Sequence, residues 1–261
     1  MFKRSCTFTI CLSLFFVFCI SQTSLSLFPL QFDFNISPGK TKKETIYIAN
    51  DSFDPIHIKA DIKDWTVEKD GTFILADFLQ SSFSCKAWIK LDIEEFNLAP
   101  GERKPIRYEI TVPKNSTPGH YWAAISFVSR AKELPPGQMD KMVIRENVMS
   151  GIFVQIGKEK PECRIIDLVL YKNNGEKVIK IDVENKGRFY FWTAGRIEIK
   201  DGNDRRIISK ELPEERILPG AKRELLLTLD EKIEPGNYSV TCILKLPSHK
   251  TLEFQKNIAF E

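Results

Sequence analysis

The side chains able to do chemistry are few and scattered. The three histidines, His57, His120 and His249, stand far apart, and none has a second histidine, a cysteine or a carboxylate at a metal-ligand spacing. His57 falls on the polar side of an alternating run, where a solvated imidazole is expected. Asp201-Gly202-Asn203-Asp204 is acidic enough to suggest calcium, but the ligand series and closing glutamate are missing, so a hairpin turn is expected. Asp92, Glu94 and Glu95 would work as an acid/base pair only in an apolar setting that separates their pKa values, and their surroundings read as a wet strand face. No nucleophile elbow, phosphate-cradling glycine loop or zinc motif occurs. The expectation is a non-enzyme without metal or cofactor.

Six cysteines are present. Cys6, Cys11 and Cys19 lie in the N-terminal apolar stretch, leaving Cys85, Cys163 and Cys242. Cys163 and Cys242 share the second half of the chain and form the candidate disulfide, with buried reduced thiols as the alternative. Sequons at Asn35, Asn50, Asn115 and Asn237 fit exposed turns and matter only in a host that glycosylates them.

The elements that must carry these residues alternate with a period of two. Ile56, Ile58, Ala60 and Ile62 interleave with His57, Lys59 and Asp61; Ile106, Tyr108, Ile110 and Val112 do the same, as do Ile179, Ile181 and Val183, and then Val240, Cys242, Leu244 and Leu246. Pro-Gly, Asp-Gly and Asn-Gly pairs separate the runs and supply turns. An antiparallel sandwich follows, and a parallel α/β fold is excluded. The framework also repeats: Leu98-Ala99-Pro100-Gly101, a strand, then Pro118-Gly119-His120-Tyr121 is matched by Leu218-Pro219-Gly220, a strand, then Pro235-Gly236-Asn237-Tyr238. An earlier strand ends alike in both halves, at Asn50 and at Asn185. A Tyr just after Pro-Gly is similar to the tyrosine corner of immunoglobulin-like sandwiches, so Tyr121 and Tyr238 are expected to be structural. Ile179, Ile181 and Val183 fill the row that would face Cys242, so the immunoglobulin-type disulfide is absent. The fold expectation is all-β: a signal peptide (1–26), then two tandem immunoglobulin-like sandwiches, 27–157 and 158–261.

The N-terminus supports export. Met1-Phe2-Lys3-Arg4 and the apolar run Cys11–Ile20 form a secretory signal, and the run breaks at Ser21-Gln22-Thr23-Ser24, short of the roughly 20 residues of a membrane span. A retained anchor is the alternative. The mature chain is expected to have no stable span and to reside in the periplasm, at the cell surface or outside the cell. Of 38 basic residues, Lys3 and Arg4 leave with the signal, so 36 face 35 acidic ones. That balance argues against nucleic acid as a partner. Trp88 and Trp122 take the parity opposite Ile89 and Tyr121. They are candidate exposed aromatics, either contacts for sugar or protein or covers for a neighbouring loop or domain.

The stretch from Ala87-Trp88-Ile89-Lys90 through Phe96-Asn97-Leu98-Ala99-Pro100-Gly101-Glu102, Ile110-Thr111-Val112-Pro113 and Pro118-Gly119-His120-Tyr121-Trp122 resembles the N-terminal domain of PapD-like periplasmic pilus chaperones and the related domain of WxL-interacting surface proteins. It covers roughly residues 30 to 157; the second half matches only as a generic immunoglobulin-like domain. The resemblance implies an extracytoplasmic protein partner, with a pilus or surface subunit as one form of it. It also implies that the strand 142–156, with Ile144, Val148, Ile152, Val154 and Ile156 on one row beside the loop 131–141, is lent to that partner. The same row would otherwise fill the domain's own core. Glu146 and Ser150 interrupt it, and the positions where those chaperones carry a basic carboxylate anchor hold Phe34 and Ser150 or Gly151. A structural or adhesive surface module is the second reading.

Overall fold

The computed structural model describes residues 24–76, 82–129, 145–158, 160, 162–229, 233–246 and 250–260. Residues 1–23 of the expected signal peptide (1–26), Ile144, the loop 131–141 and His249 lie outside them; Leu25 and Ser26 begin β1, so the expected boundary at 26 falls inside the first strand.

Among the described residues the strands are, in order, β1 (Leu25–Phe28), β2 (Gln31–Asn35), β3 (Thr41–Asn50), β4 (Ile56–Val67), β5 (Phe73–Ala76), β6 (Ile89–Leu91), β7 (Glu95–Leu98), β8 (Arg103–Thr111), β9 (Gly119–Ser129), β10 (Asn147–Ile156), β11 (Cys163–Asn173), β12 (Glu176–Asn185), β13 (Phe191–Trp192), β14 (Gly195–Lys200), β15 (Arg206–Glu211), β16 (Arg216–Ile217), β17 (Lys222–Leu229), β18 (Gly236–Lys245) and β19 (Thr251–Phe260). A single 3₁₀ turn at Lys86–Trp88 precedes β6. Alternation sets the faces: in β3, Ile46 and Ile48 are fully buried while Tyr47 between them is exposed.

Two sandwiches result, each with its own core. In the first, sheet β1-β3-β8-β6 packs on sheet β2-β10-β9-β4-β5, with β7 also paired to β4. Ile48, Ile106, Ile125 and Phe127 are among its fully buried side chains. In the second, β11-β12-β17 packs on β15-β14-β18-β19 around Ile181, Ile197, Leu225 and Val240. The pairing order is the same in both. β1-β3-β8 corresponds to β11-β12-β17, and β10-β9-β4 to β19-β18-β14.

The repeated sequence framework closes identical hydrogen-bond knots. Asn50 is fully buried; its Nδ2 donates to Asp54 O (2.8 Å) and Leu98 O (3.2 Å), and its Oδ1 accepts the Ser52 N–H (3.0 Å). Asn185, equally buried, donates to Phe189 O (2.8 Å) and Ile217 O (3.0 Å) and accepts the Gly187 N–H (2.9 Å). Each amide therefore ties the fourth residue after it to the carbonyl three before the Pro-Gly glycine. The Tyr121 hydroxyl donates to Thr117 O (2.9 Å), and that of Tyr238 to Glu234 O (2.6 Å). Each tyrosine side chain bridges back four residues.

Cys85, Cys163 and Cys242 are free thiols, so the structure carries no Cys163–Cys242 bond. Both thiols pack in the second core, where burial pushes each up to about 12. Apolar surroundings explain their burial without a cross-link.

Candidate functional site

The strand singled out by sequence, β10, is built into the first sandwich. Ile152 and Val154 are fully buried, Ile156 nearly so, and all three belong to the first core. Here the row faces the core of its own sandwich, the alternative that the sequence left open. β9 pairs with the whole of β10, which turns its even row inward. Val148 is half-buried against the same core.

What β10 leaves open is backbone. β2 runs parallel to it over Gly151–Gln155 only. The Gly151 N–H donates to Leu30 O at 2.9 Å, so by the two-residue period Met149 and Asn147 point their peptide groups to the same side. Among the described residues no ladder partner lies there for Asn147–Ser150. The two polar interruptions of the row explain how the seam is held. Glu146 accepts the Ser24 N–H at both carboxylate oxygens (3.0 and 3.1 Å), and Ser150 Oγ donates to Pro29 O (2.9 Å). They tie down the segment in which the chain leaves β1, passes a cis Phe28-Pro29 bond and enters β2 in the opposite sheet.

That crossover is also apolar and exposed. Phe28 and Leu30 keep 64% and 67% of their surface open, far more than a strand-flanking Phe or Leu needs. Phe28 pairs with the exposed Tyr47 on β3, and the Arg103 guanidinium lies 4.6 Å over the Tyr47 ring. A depression of about 510 Å³ adjoins them, lined by Ser26, Leu27, Phe28, Tyr47, Ala49 and Arg103 among others. Of this seam the sequence singled out only Glu146 and Ser150, as interruptions of an apolar row, and neither Phe28 nor Leu30. The exposed edge arises from where β2 begins.

The aromatics expected at the surface fall elsewhere. Trp122 is buried: its indole N–H donates to Trp65 O (2.8 Å) and its ring stacks on Phe83 at 5.8 Å. Its outward parity carries it beneath the second sandwich, where it packs with Phe153 and Leu218. Trp88 is half-buried, 4.5 Å from the Tyr121 ring. The exposed tryptophan is Trp192, lying with Phe153 and Tyr190 around the Arg216 guanidinium at 4.0 to 4.7 Å.

Beside that apolar cluster, the junction between the sandwiches is hydrogen-bonded. The His120 backbone N–H donates to Arg188 O (2.7 Å), and its Nδ1 accepts the Tyr190 N–H (3.0 Å). Its Nε2 is left to carry the proton toward Gln155 Oε1 (3.1 Å), and the ring stacks on Tyr190 at 3.9 Å. Burial holds this imidazole below the usual histidine range, outweighing the Gln155 hydrogen bond and the Asp33 charge, with Arg216 adding to the lowering. Gly119 is required here, since a Cβ would lie 2.9 Å from Arg188 O. The β4–β5 hairpin adds a second contact, with Lys69 Nζ 2.5 Å from Glu224 and the buried Arg223 donating to Glu68 O (2.6 Å) and to the Glu215 carboxylate.

The first sandwich also makes a His–Glu contact that the sequence hides. The β4–β7 ladder brings His57 Nε2 to Glu95 (2.9 Å) and Nδ1 to Asn97 (2.7 Å) on an open surface. No group of three or more metal-ligating side chains occurs among the described residues.

No family model and no curated protein matches the chain. Among solved structures it is similar to the class 5 fimbrial chaperone CfaA (14% identity, 89% of this chain and 98% of that one, TM-score 0.48). It is also similar to a chain of the Salmonella enterica SafA pilin complex with the SafB chaperone (14%, 91% and 97%, 0.47), and to the E. coli chaperone DraB (16%, 90% and 98%, 0.42). No helix among the described residues is long and apolar enough to cross a membrane.

Proposed function

We propose that this chain is an exported, non-enzymatic protein-binding protein of chaperone or assembly-accessory type, which receives an extended segment of an extracytoplasmic polypeptide along the seam of its first sandwich. The observation that carries this reading is the stretch Asn147–Ser150 of β10, which has no ladder partner on its β2 side among the described residues, beside exposed Phe28 and Leu30. A strand laid there gains backbone hydrogen bonds worth only about 1 kcal/mol net each, whereas burying a Phe or Leu contributes roughly 1.5–3 kcal/mol, so the two apolar side chains set the affinity. The row Ile152, Val154 and Ile156 supports the sandwich from inside rather than touching the client.

A photo-crosslinking residue at Leu30, compared with one at Leu226, an exposed apolar position on β17, tests the reading in the native host. The expected result is a defined adduct with an exported polypeptide from position 30 only, lost on Phe28→Asp. Equal labelling from both positions, or an adduct indifferent to Phe28→Asp, would refute it.

A further inference from the structure

The two halves share a docking device, and only one copy of it is in use. In the second sandwich the buried Asn185 locks the loop that follows it, and the third residue after it, Arg188, is driven into the corner of the first sandwich. Its Nε donates to Pro118 O (2.9 Å), its Nη2 to the Tyr121 hydroxyl (3.1 Å), and its guanidinium lies 4.9 Å over the Phe83 ring. The first sandwich has the same lock at Asn50, and the third residue after it is Phe53. That side chain is 96% exposed on a loop whose backbone is held by Asn50, whose Nδ2 donates to Asp54 O (2.8 Å) and whose Oδ1 accepts the Ser52 N–H (3.0 Å), with the Ser52 hydroxyl 2.7 Å from the same Oδ1. A rigid loop bearing a bare Phe is a preorganised knob.

The matching corner receives no counterpart of Arg188 among the described residues. Pro235-Gly236-Asn237-Tyr238 stands in the second sandwich where Pro118–Tyr121 stands in the first. Beside it opens a depression of about 570 Å³ lined by Asn237, Tyr238, Ile258, Ala259, Asp201 and Asp204. Tyr238 and Ile258 supply its apolar floor. The rim carboxylates are neutralised, Asp201 by Arg205 (3.1 Å) and Asp204 by Lys200 (2.9 Å), so Asp51 and Asp54 beside the knob do not meet uncompensated like charge.

We propose that copies of this chain associate head to tail, the Asp51–Asp54 loop of one copy seating Phe53 in the Tyr238 corner of the next. The occupant is a second copy because this chain carries both the 96% exposed Phe53 and the Tyr238 corner, and already joins the equivalent parts within itself. Knob and socket lie on different sandwiches, so the interface is heterologous and propagates into rings or filaments instead of stopping at a two-fold dimer. Phe53 lacks the donors of Arg188, so the contact is apolar and weaker than the internal one, and it strengthens with added salt.

Sedimentation velocity on the full exported chain tests this. The wild type should grow beyond dimers as concentration rises, and Phe53→Ser and Asn237→Arg should each be monomeric. Neither exposed side chain is needed for folding, which an unchanged thermal transition would confirm. An equal mixture of the two variants should form a dimer and nothing larger, since one retains only the socket and the other only the knob. Monomers at the highest soluble concentration, wild-type association of either variant alone, or a mixture that fails to dimerise would overturn the proposal.

Discussion

Arg188 of the second sandwich donates to the hydroxyl of Tyr121 in the first at 3.1 Å, while that hydroxyl donates to Thr117 O at 2.9 Å. One phenol thus closes a corner and receives the neighbouring sandwich's cation. Arg188→Ala removes two charge-assisted hydrogen bonds and should cost roughly 1.5–3 kcal/mol of coupling. Calorimetry should show a single transition splitting into two, with Arg188→Lys restoring only part of the coupling because a lysine cannot span Pro118 O and Tyr121 with a planar fork.

The buried asparagines should be among the least tolerant polar positions. Asn185→Leu leaves the Phe189 and Ile217 carbonyls and the Gly187 N–H without their partner, at about 1–3 kcal/mol for each group that water cannot reach. Urea unfolding should report a loss of several kcal/mol, whereas Asn35→Ala, at an exposed sequon, should stay within about 0.5 kcal/mol. Glycosylation, where a host performs it, should spare Asn50 for the same reason.

His120 makes stability depend on pH. Its folded pKa lies below the unfolded value of 6.5, so as pH falls below about 6.5 the unfolded chain binds the proton first. Stability is full above 6.5 and is lost as pH falls from there to the depressed folded value. The protonated ring would also present an N–H to the Tyr190 N–H. Denaturant midpoints measured between pH 7.5 and 5 should fall for the wild type and flatten in this window for His120→Gln.

Glu146 should govern the N-terminal edge. Glu146→Ala frees the Ser24 N–H, and Leu25–Phe28 should then exchange amide hydrogens faster while β9 does not change. Equal protection of β1 in both proteins would show that the Ser24 tie contributes nothing.

The thiols should be inert in the native state. With Cys163 and Cys242 pushed up to about 12 and Cys85 fully buried, alkylation at pH 8 should be slow until the chain is unfolded, when three equivalents should react.

The strand alternation, the Pro-Gly turns and the doubled Asn and Tyr positions were legible from residues alone, because a sheet's two faces impose a period of two and a corner needs a specific turn wherever it occurs. Two β-sandwiches followed from that. The site was not legible in the same way. Whether Ile152, Val154 and Ile156 face a partner or a core depends on which strands flank β10, and Trp122's outward parity became burial because a second sandwich lies over that face. Likewise Glu146 and Ser150 look in sequence like defects in an apolar row. Contact with Ser24 and Pro29, more than 120 positions away, makes them the ties of the exposed seam. Local periodicity assigned each side chain to a face, and only the tertiary pairing decided whether that face met solvent, its own core or the neighbouring sandwich.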